Sequence, residues 1–160
     1  MTWNISPGSL LSPLIIAHRG DSSEAPENTM EAFRRAVEAG ADGIELDVRL
    51  TRDREVVVIH DWLIDRTTPG AGPVGTHTLA ELKKMDAGSW FDPRFKSARV
   101  PTLAEVFEGL PASLLVNVEI KVRGHGVLPL VSRVVETVRR CDRYETTLVA
   151  SFHPVALGLA

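Results

Sequence analysis

Three observations predict an α/β fold built on a parallel sheet. Apolar runs end in ionisable residues: Leu14–Ala17 leads into His18-Arg19-Gly20, and Val56–Ile59 leads into His60-Asp61. Helical spacing of apolar residues lies between the strand-like runs. Finally, Gly40–Val48 and Leu114–Lys121 share one parity. Ile44, Leu46 and Val48, or Leu114, Val116, Val118 and Ile120, take one face, while Glu45 and Asp47, or Asn117, Glu119 and Lys121, take the other. In parallel α/β proteins, binding groups collect at the carboxyl ends of the strands, where these residues fall.

Taken in order, Leu14–Ala17 reads as a buried first strand. After Pro26, Asn28 or Thr29 caps a helix in which Met30, Phe33, Ala36 and Val37 recur at helical spacing, and Gly40 ends it. Gly40–Val48 is the second strand, Thr51–Glu55 a polar turn, and Val56–Ile59 the third strand. Trp62–Arg99 breaks the rhythm with prolines, glycines, Trp90 and Phe91, and reads as an excursion over the mouth of the site with a short helix near Thr78–Met85. Thr78/Glu81 and Thr102/Glu105 each match a capping box and mark two helix starts. Leu114–Lys121 is the fourth strand. Leu128–Arg140 is a helix with Val131, Val134, Val135 and Val138 on one side, and Thr146–Ala150 is a fifth strand that runs into Ser151-Phe152. Pro154 opens a further element.

The bulk numbers exclude several classes. A chain of 160 residues fits one domain with a sizeable core. A net charge of −3 with scattered Lys and Arg argues against a nucleic-acid partner. The single cysteine, Cys141, excludes an internal disulfide and reads as an incidental apolar residue. Met1–Pro13 lacks a basic head and long apolar core, and no apolar run is long enough to span a bilayer. The expectation is a cytoplasmic protein without stable membrane insertion.

Glu45 and Asp47 share a strand face, and buried like charges cost several kcal/mol unless protonated, paired or neutralised. Glu119, at matching parity on another strand, adds a third carboxylate. Oxygen donors alone suit a hard divalent cation, Mg2+ or Ca2+. The competing reading pairs each carboxylate with an Arg or Lys at a strand edge. His18 and His60 each leave an apolar strand on the polar side, and imidazole exchanges protons near neutral pH. A lone histidine in such a place is more often hydrogen-bonded structure. Glu27 and Asn28 are assigned to loop shaping and capping, with a ligand role as the less favoured alternative, His77, His125 and His153 to solvent, and Trp62, Trp90 and Phe152 to a pocket wall or to core.

The pieces His18-Arg19-Gly20, Pro26-Glu27-Asn28-Thr29, Gly40–Val48, His60-Asp61, Asp65-Arg66-Thr67-Thr68, Asp86–Trp90, Val100–Leu103, Glu119-Ile120-Lys121 and Ser151-Phe152 together resemble the glycerophosphodiester phosphodiesterases, in that family's order and over nearly the whole chain. The resemblance implies a TIM (β/α)8-type barrel with an insertion after strand 3, here about residues 62–99, of which residues 1–160 carry about the first five βα units. It implies metal ligands at Glu45, Asp47 and Glu119, an acid/base pair at His18 and His60, and phosphate contacts at Arg19 and Lys121. The activity implied is metal-dependent hydrolysis of a small-molecule glycerophosphodiester to glycerol 3-phosphate and an alcohol. A likeness to barrel phospholipases suggests a route through a cyclic phosphate, formed by the substrate's own hydroxyl. Two alternatives stay open: a phospholipase D-like action on lysophospholipids, and an inactive partial barrel acting as a binding module. Five strands leave two open edges, which invites homo-oligomers.

Overall fold

The structure, a computed structural model, describes residues 13–122 and 127–159. The reading of Met1–Pro13 falls almost wholly outside them, and that of His125 entirely so. The described elements are β1 (Ile16–His18), α1 (Met30–Glu38), β2 (Gly43–Leu50), β3 (Val56–Val58), α2 (Leu79–Leu82), α3 (Leu103–Gly109), β4 (Leu115–Ile120), α4 (Val127–Arg140), β5 (Thr147–Ala150) and α5 (Pro154–Leu159).

The five strands form one open sheet in the order β1-β2-β4-β5, and these four are parallel. Its helix-covered face is the main core. Ile44, Leu46 and Val48 of β2 and Val116, Val118 and Ile120 of β4 pack with Phe33 and Ala36 of α1, Val106 and Phe107 of α3, and Val131, Val134 and Val138 of α4. The expected parity therefore holds on both central strands. Thr29, not Asn28, caps α1, accepting from the Ala32 N–H, and Gly40 leaves the helix at φ +84°. Both predicted capping boxes form, at α2 and α3. Cys141 packs against the core, as an incidental apolar residue should.

Two expectations need correction. The first strand is not buried: Leu14, Ile15 and Ile16 are exposed, because β1 is an outer strand paired only to β2. The third strand is not parallel. β3 runs antiparallel to β2, with Val48 opposite Val58 and Leu50 opposite Val56. The reason is connection length, since a parallel crossover needs a dozen or more residues and the turn Thr51–Glu55 is far shorter. The departure from βα alternation thus begins directly after β2. A second small core of Val57, Ile59, Ile64, Val74, Leu82, Ala87 and Val100 lies under the segment that follows. No described helix is long and apolar enough to cross a membrane.

Gly43 begins β2 in close contact with both neighbouring strands. A Cβ there would stand 2.7 Å from the Leu115 carbonyl oxygen and 2.8 Å from Ile16 Cδ1. Gly43→Ala should therefore destabilise the chain by about 1–3 kcal/mol through overpacking. A urea midpoint equal to that of the parent would contradict the close approach.

Candidate active site

The face of β2 opposite the core carries Glu45 and Asp47, and β4 sets Glu119 directly beside Asp47 in register. One oxygen from each of the three carboxylates lies within 4.8 Å of the others. Asp47 is 0% exposed and Glu45 7%, so this is a buried acidic cluster rather than a solvated face.

The outer edge of β2 brings in the histidines. β1 ends with His18 opposite Glu45, its Nε2 3.8 Å from Glu45 Oε2. From the other end, antiparallel β3 runs back along the same edge until the Ile59 N–H donates to the Asp47 carbonyl at 2.9 Å. Asn28 fills the gap between them. Its Nδ2 donates to Asp47 Oδ2 at 2.9 Å, and its Oδ1 accepts the Asp47 N–H at 3.3 Å. Asn28 and Arg19 both sit in the left-handed region, at φ +56° and +59°. Such conformations are sparsely populated and survive only where surroundings enforce them. Here the Arg19 N–H donates to the Glu45 carbonyl and to Glu45 Oε2, each at 3.0 Å, and the Asn28 N–H donates to the Arg19 carbonyl.

Cations flank the carboxylates. Lys121 Nζ is 2.7 Å from Glu119 Oε1 and 3.2 Å from Asp47 Oδ1, while Arg19 Nε is 3.3 Å from Asp47 Oδ2. Burial would lower the Lys121 pKa, but the Glu119 hydrogen bond and the Asp47 charge outweigh it and hold it raised. His60 joins from further out. Its Nδ1 is 2.6 Å from Asp61 Oδ1, and it lines a narrow cavity with Glu27 and Asn28.

Sequence reasoning missed three contributors. Arg49 follows Glu45 and Asp47 at the same parity on β2. It donates from Nε and a terminal nitrogen to the His60 carbonyl, at 2.9 and 2.5 Å, and from the other terminal nitrogen to the Lys121 carbonyl at 3.3 Å. That parity was a usable signal. Asn28 reads from sequence chiefly as a cap, and nothing local marks it as the bridge to Asp47. Arg66, beyond the turn after β3, is joined to Glu27 through both terminal nitrogens.

The remaining candidates fall around this centre. Phe152 is almost fully exposed, with the Lys121 ammonium 5.7 Å from its ring centroid. With Glu119, Lys121, Ser151 and the half-buried His153 it lines a cavity of about 240 Å³. His77 bonds the Ala71 carbonyl at 3.0 Å and the Nδ1 of His153 is buried, so neither is simply solvated. Trp62 lies under the Arg49 guanidinium, and Trp90 donates its indole N–H to the Ala87 carbonyl. None of the three aromatics is fully buried core.

The profile of the family described as "Glycerophosphoryl diester phosphodiesterase family" matches residues 18–154, from the first histidine to the start of α5. The chain belongs to that family. It is 48% identical over 149 residues to the glycerophosphodiester phosphodiesterase of Caldanaerobacter subterraneus subsp. tengcongensis, covering 92% of this chain and 61% of that protein. Among solved structures, the glycerophosphodiester phosphodiesterase of Agrobacterium tumefaciens superposes with a TM-score of 0.84 at 41% identity, over 92% of this chain and 62% of that one. A phosphodiesterase from Oleispira antarctica, solved in complex with the product sn-glycerol-3-phosphate, gives 0.88 at 35% identity, over 92% and 61%. This glycerophosphodiester phosphodiesterase-family chain thus spans about three fifths of the length of these relatives. Among the described residues, four parallel strands in an open sheet form its part of the family's barrel.

The acidic cluster of this family member fits a divalent cation. Glu45 Oε1 and Asp47 Oδ1 are buried and accept no hydrogen bond, and the nearby Lys121 ammonium is within ion-pair range of Asp47 Oδ1 without being aligned to it. All the donors are carboxylate oxygens, the set preferred by hard cations. Burial, and after it the Asp47 charge, push the Glu45 carboxyl up to about 7. Below that pH Glu45 retains a proton that a cation must displace, so cation affinity should fall about tenfold per pH unit as pH drops through and below about 7, and level off above it. Calorimetric titration in buffers of different ionisation enthalpy reads the proton released. Affinity independent of pH would contradict this. Asn28→Ala, which removes two contacts to Asp47, should weaken cation binding about tenfold in the same titration.

Proposed function

We infer that this chain binds a divalent cation, Mg2+ or Ca2+, and hydrolyses glycerophosphodiesters to glycerol 3-phosphate and an alcohol. The observation that carries the reading is the meeting of three carboxylates with an imidazole and an ammonium on one open sheet face. Family membership supports it, as do the names of the relatives and the product bound to the Oleispira antarctica enzyme.

In this reading Glu45, Asp47 and Glu119 hold the cation, which when bound supplies a Lewis acid that polarises a phosphoryl oxygen. Arg19 and Lys121 exchange part of their carboxylate contact for phosphate oxygens. The guanidinium grips two of them in plane, and the ammonium offsets charge growing at phosphorus. His18 and His60 move the protons. One takes the proton of the substrate's glycerol hydroxyl as that oxygen bonds phosphorus, and the other protonates the alkoxide as the phosphorus–oxygen bond to the alcohol breaks. A cyclic phosphate and the free alcohol result. Water then adds to phosphorus with the two roles reversed, opening the ring to glycerol 3-phosphate.

The test is glycerol 3-phosphate release from glycerophosphocholine with Mg2+, with Ca2+ and with chelator. Cation-dependent release, reduced at least about 100-fold in His18→Ala, His60→Ala and Glu119→Gln, is expected. Release that survives the chelator, or near-parental rates in both histidine variants, would overturn the assigned roles.

A further inference from the structure

A proton-moving imidazole needs one nitrogen committed and the other free, and the surroundings of His60 settle which. Nδ1 is 2.6 Å from Asp61 Oδ1. The other Asp61 oxygen accepts from Arg66 Nε at 2.6 Å. The two terminal nitrogens of Arg66 donate to the two oxygens of Glu27 at 2.9 and 2.7 Å. Glu27 Oε1 also accepts from Arg19 at 3.1 Å, and Arg19 Nε stands 3.3 Å from Asp47 Oδ2. Imidazole, carboxylate, guanidinium, carboxylate, guanidinium and carboxylate thus follow one another from His60 to the acidic cluster, the first four links hydrogen-bonded and the last, Arg19 to Asp47, an ion pair only.

The alternation has a definite consequence. Arg66 uses its Nε edge on Asp61 and its terminal fork on Glu27, so one rigid plane fixes both carboxylates relative to each other. A lysine has no such second edge. The Arg66 hydrogen bond, and then that of His60, hold the Asp61 carboxyl down at about 2, and Arg66 itself is raised by its bonds to Glu27 and Asp61. Burial would raise Glu27, but Arg66 and Arg19 outweigh it, and its pKa is lowered. An ionised carboxylate only accepts, so the His60 nitrogen beside Asp61 must be the one that carries hydrogen. Arg49 restrains the same residue from its backbone, through the His60 carbonyl.

We propose that Asp61, Arg66 and Glu27 are positioning residues that lock His60 as the Nδ1–H tautomer, leave Nε2 as the nitrogen that exchanges protons with substrate, and tie that ring to the Arg19 side of the site. The proposal rests on the acid/base reading of His60 given above. During turnover Nε2 gains a proton when His60 acts as base and loses it when His60 acts as acid. Nδ1 keeps its own proton throughout, and Asp61 stabilises the imidazolium without being protonated.

Two measurements decide it. In the chain labelled with 15N-histidine, without cation or substrate, long-range proton–nitrogen correlations report which His60 nitrogen is protonated, the signal being identified by its loss in His60→Ala. Protonated Nδ1 and free Nε2 are expected in the parent, with a mixed tautomer in Asp61→Asn and in Arg66→Lys. A parent protonated on Nε2, or a pattern unchanged in Asp61→Asn, would overturn the proposal. In turnover, Asp61→Asn and Arg66→Lys should each lower kcat about 10–100-fold with KM changed less than about threefold. The double variant should be no worse than about threefold below the lower single one, because both act through one ring. Losses that multiply would count against a shared route. Glu27→Gln, close in size to the parent residue, provides a variant of the same chain with less risk to folding, and should shift the His60 tautomer in the same direction. If His60→Ala turned over normally, the acid/base reading would fall while the tautomer spectrum still judged the positioning chain.

Discussion

The structure turns on the placement of three carboxylates on one face of two adjacent parallel strands. The register pairs Asp47 with Glu119, and Glu45 lies one pleat earlier on the same face. Like charges at this spacing, taken out of water, are unfavourable unless something answers them. The surrounding chain supplies the answers: an ammonium from the residue just past β4, a guanidinium and a backbone N–H from the loop after β1, and an amide from the residue before the cap of α1. The unusual backbone at Arg19 and Asn28 is part of the same solution, since it turns these donors back onto β2.

Much of this was legible in the sequence because strand parity is a strict rule. A period of two places Glu45, Asp47 and Glu119 on the face opposite Ile44, Leu46, Val118 and Ile120 whatever the rest of the fold does. Cap chemistry was equally readable at Thr78 and Thr102. His60 and Asp61 at its end point to a parallel β3, but the short turn before it is the stronger signal. Asn28 and Arg66 were not legible as parts of the site. Asn28 meets Asp47 19 residues on, and Arg66, besides Asp61 five residues back, meets Glu27 39 residues away; nothing local to either residue encodes these longer meetings.

The edge of β2 also explains how two histidines that follow strands of opposite direction arrive at one strand edge. β1 and β3 do not pair with each other. They share the β2 edge end to end, one stopping at Glu45 and the other arriving at Asp47. The remaining main-chain N–H, that of Asp47, goes to a side chain. An uninterrupted strand along this edge would have satisfied the backbone equally well and left no place for a loop to reach the carboxylates.

The antiparallel return of β3 also bears on the order in which the site can assemble. The contact from Arg49 to the His60 carbonyl closes only 11 residues, that from Arg19 to Glu45 closes 26, and that from Arg49 to Lys121 closes 72. Closure entropy rises with loop length, by about 1.7 kcal/mol between the shortest and the longest of these. The hairpin that presents Asp47 and His60 is therefore the least costly of the three to close, and the contact to Lys121 the most costly. Until β4 docks, Glu45 and Asp47 remain on a strand still open to water, where their mutual repulsion is weakly felt. The chain meets the electrostatic strain of its acidic cluster in the same event that delivers the ammonium to relieve it.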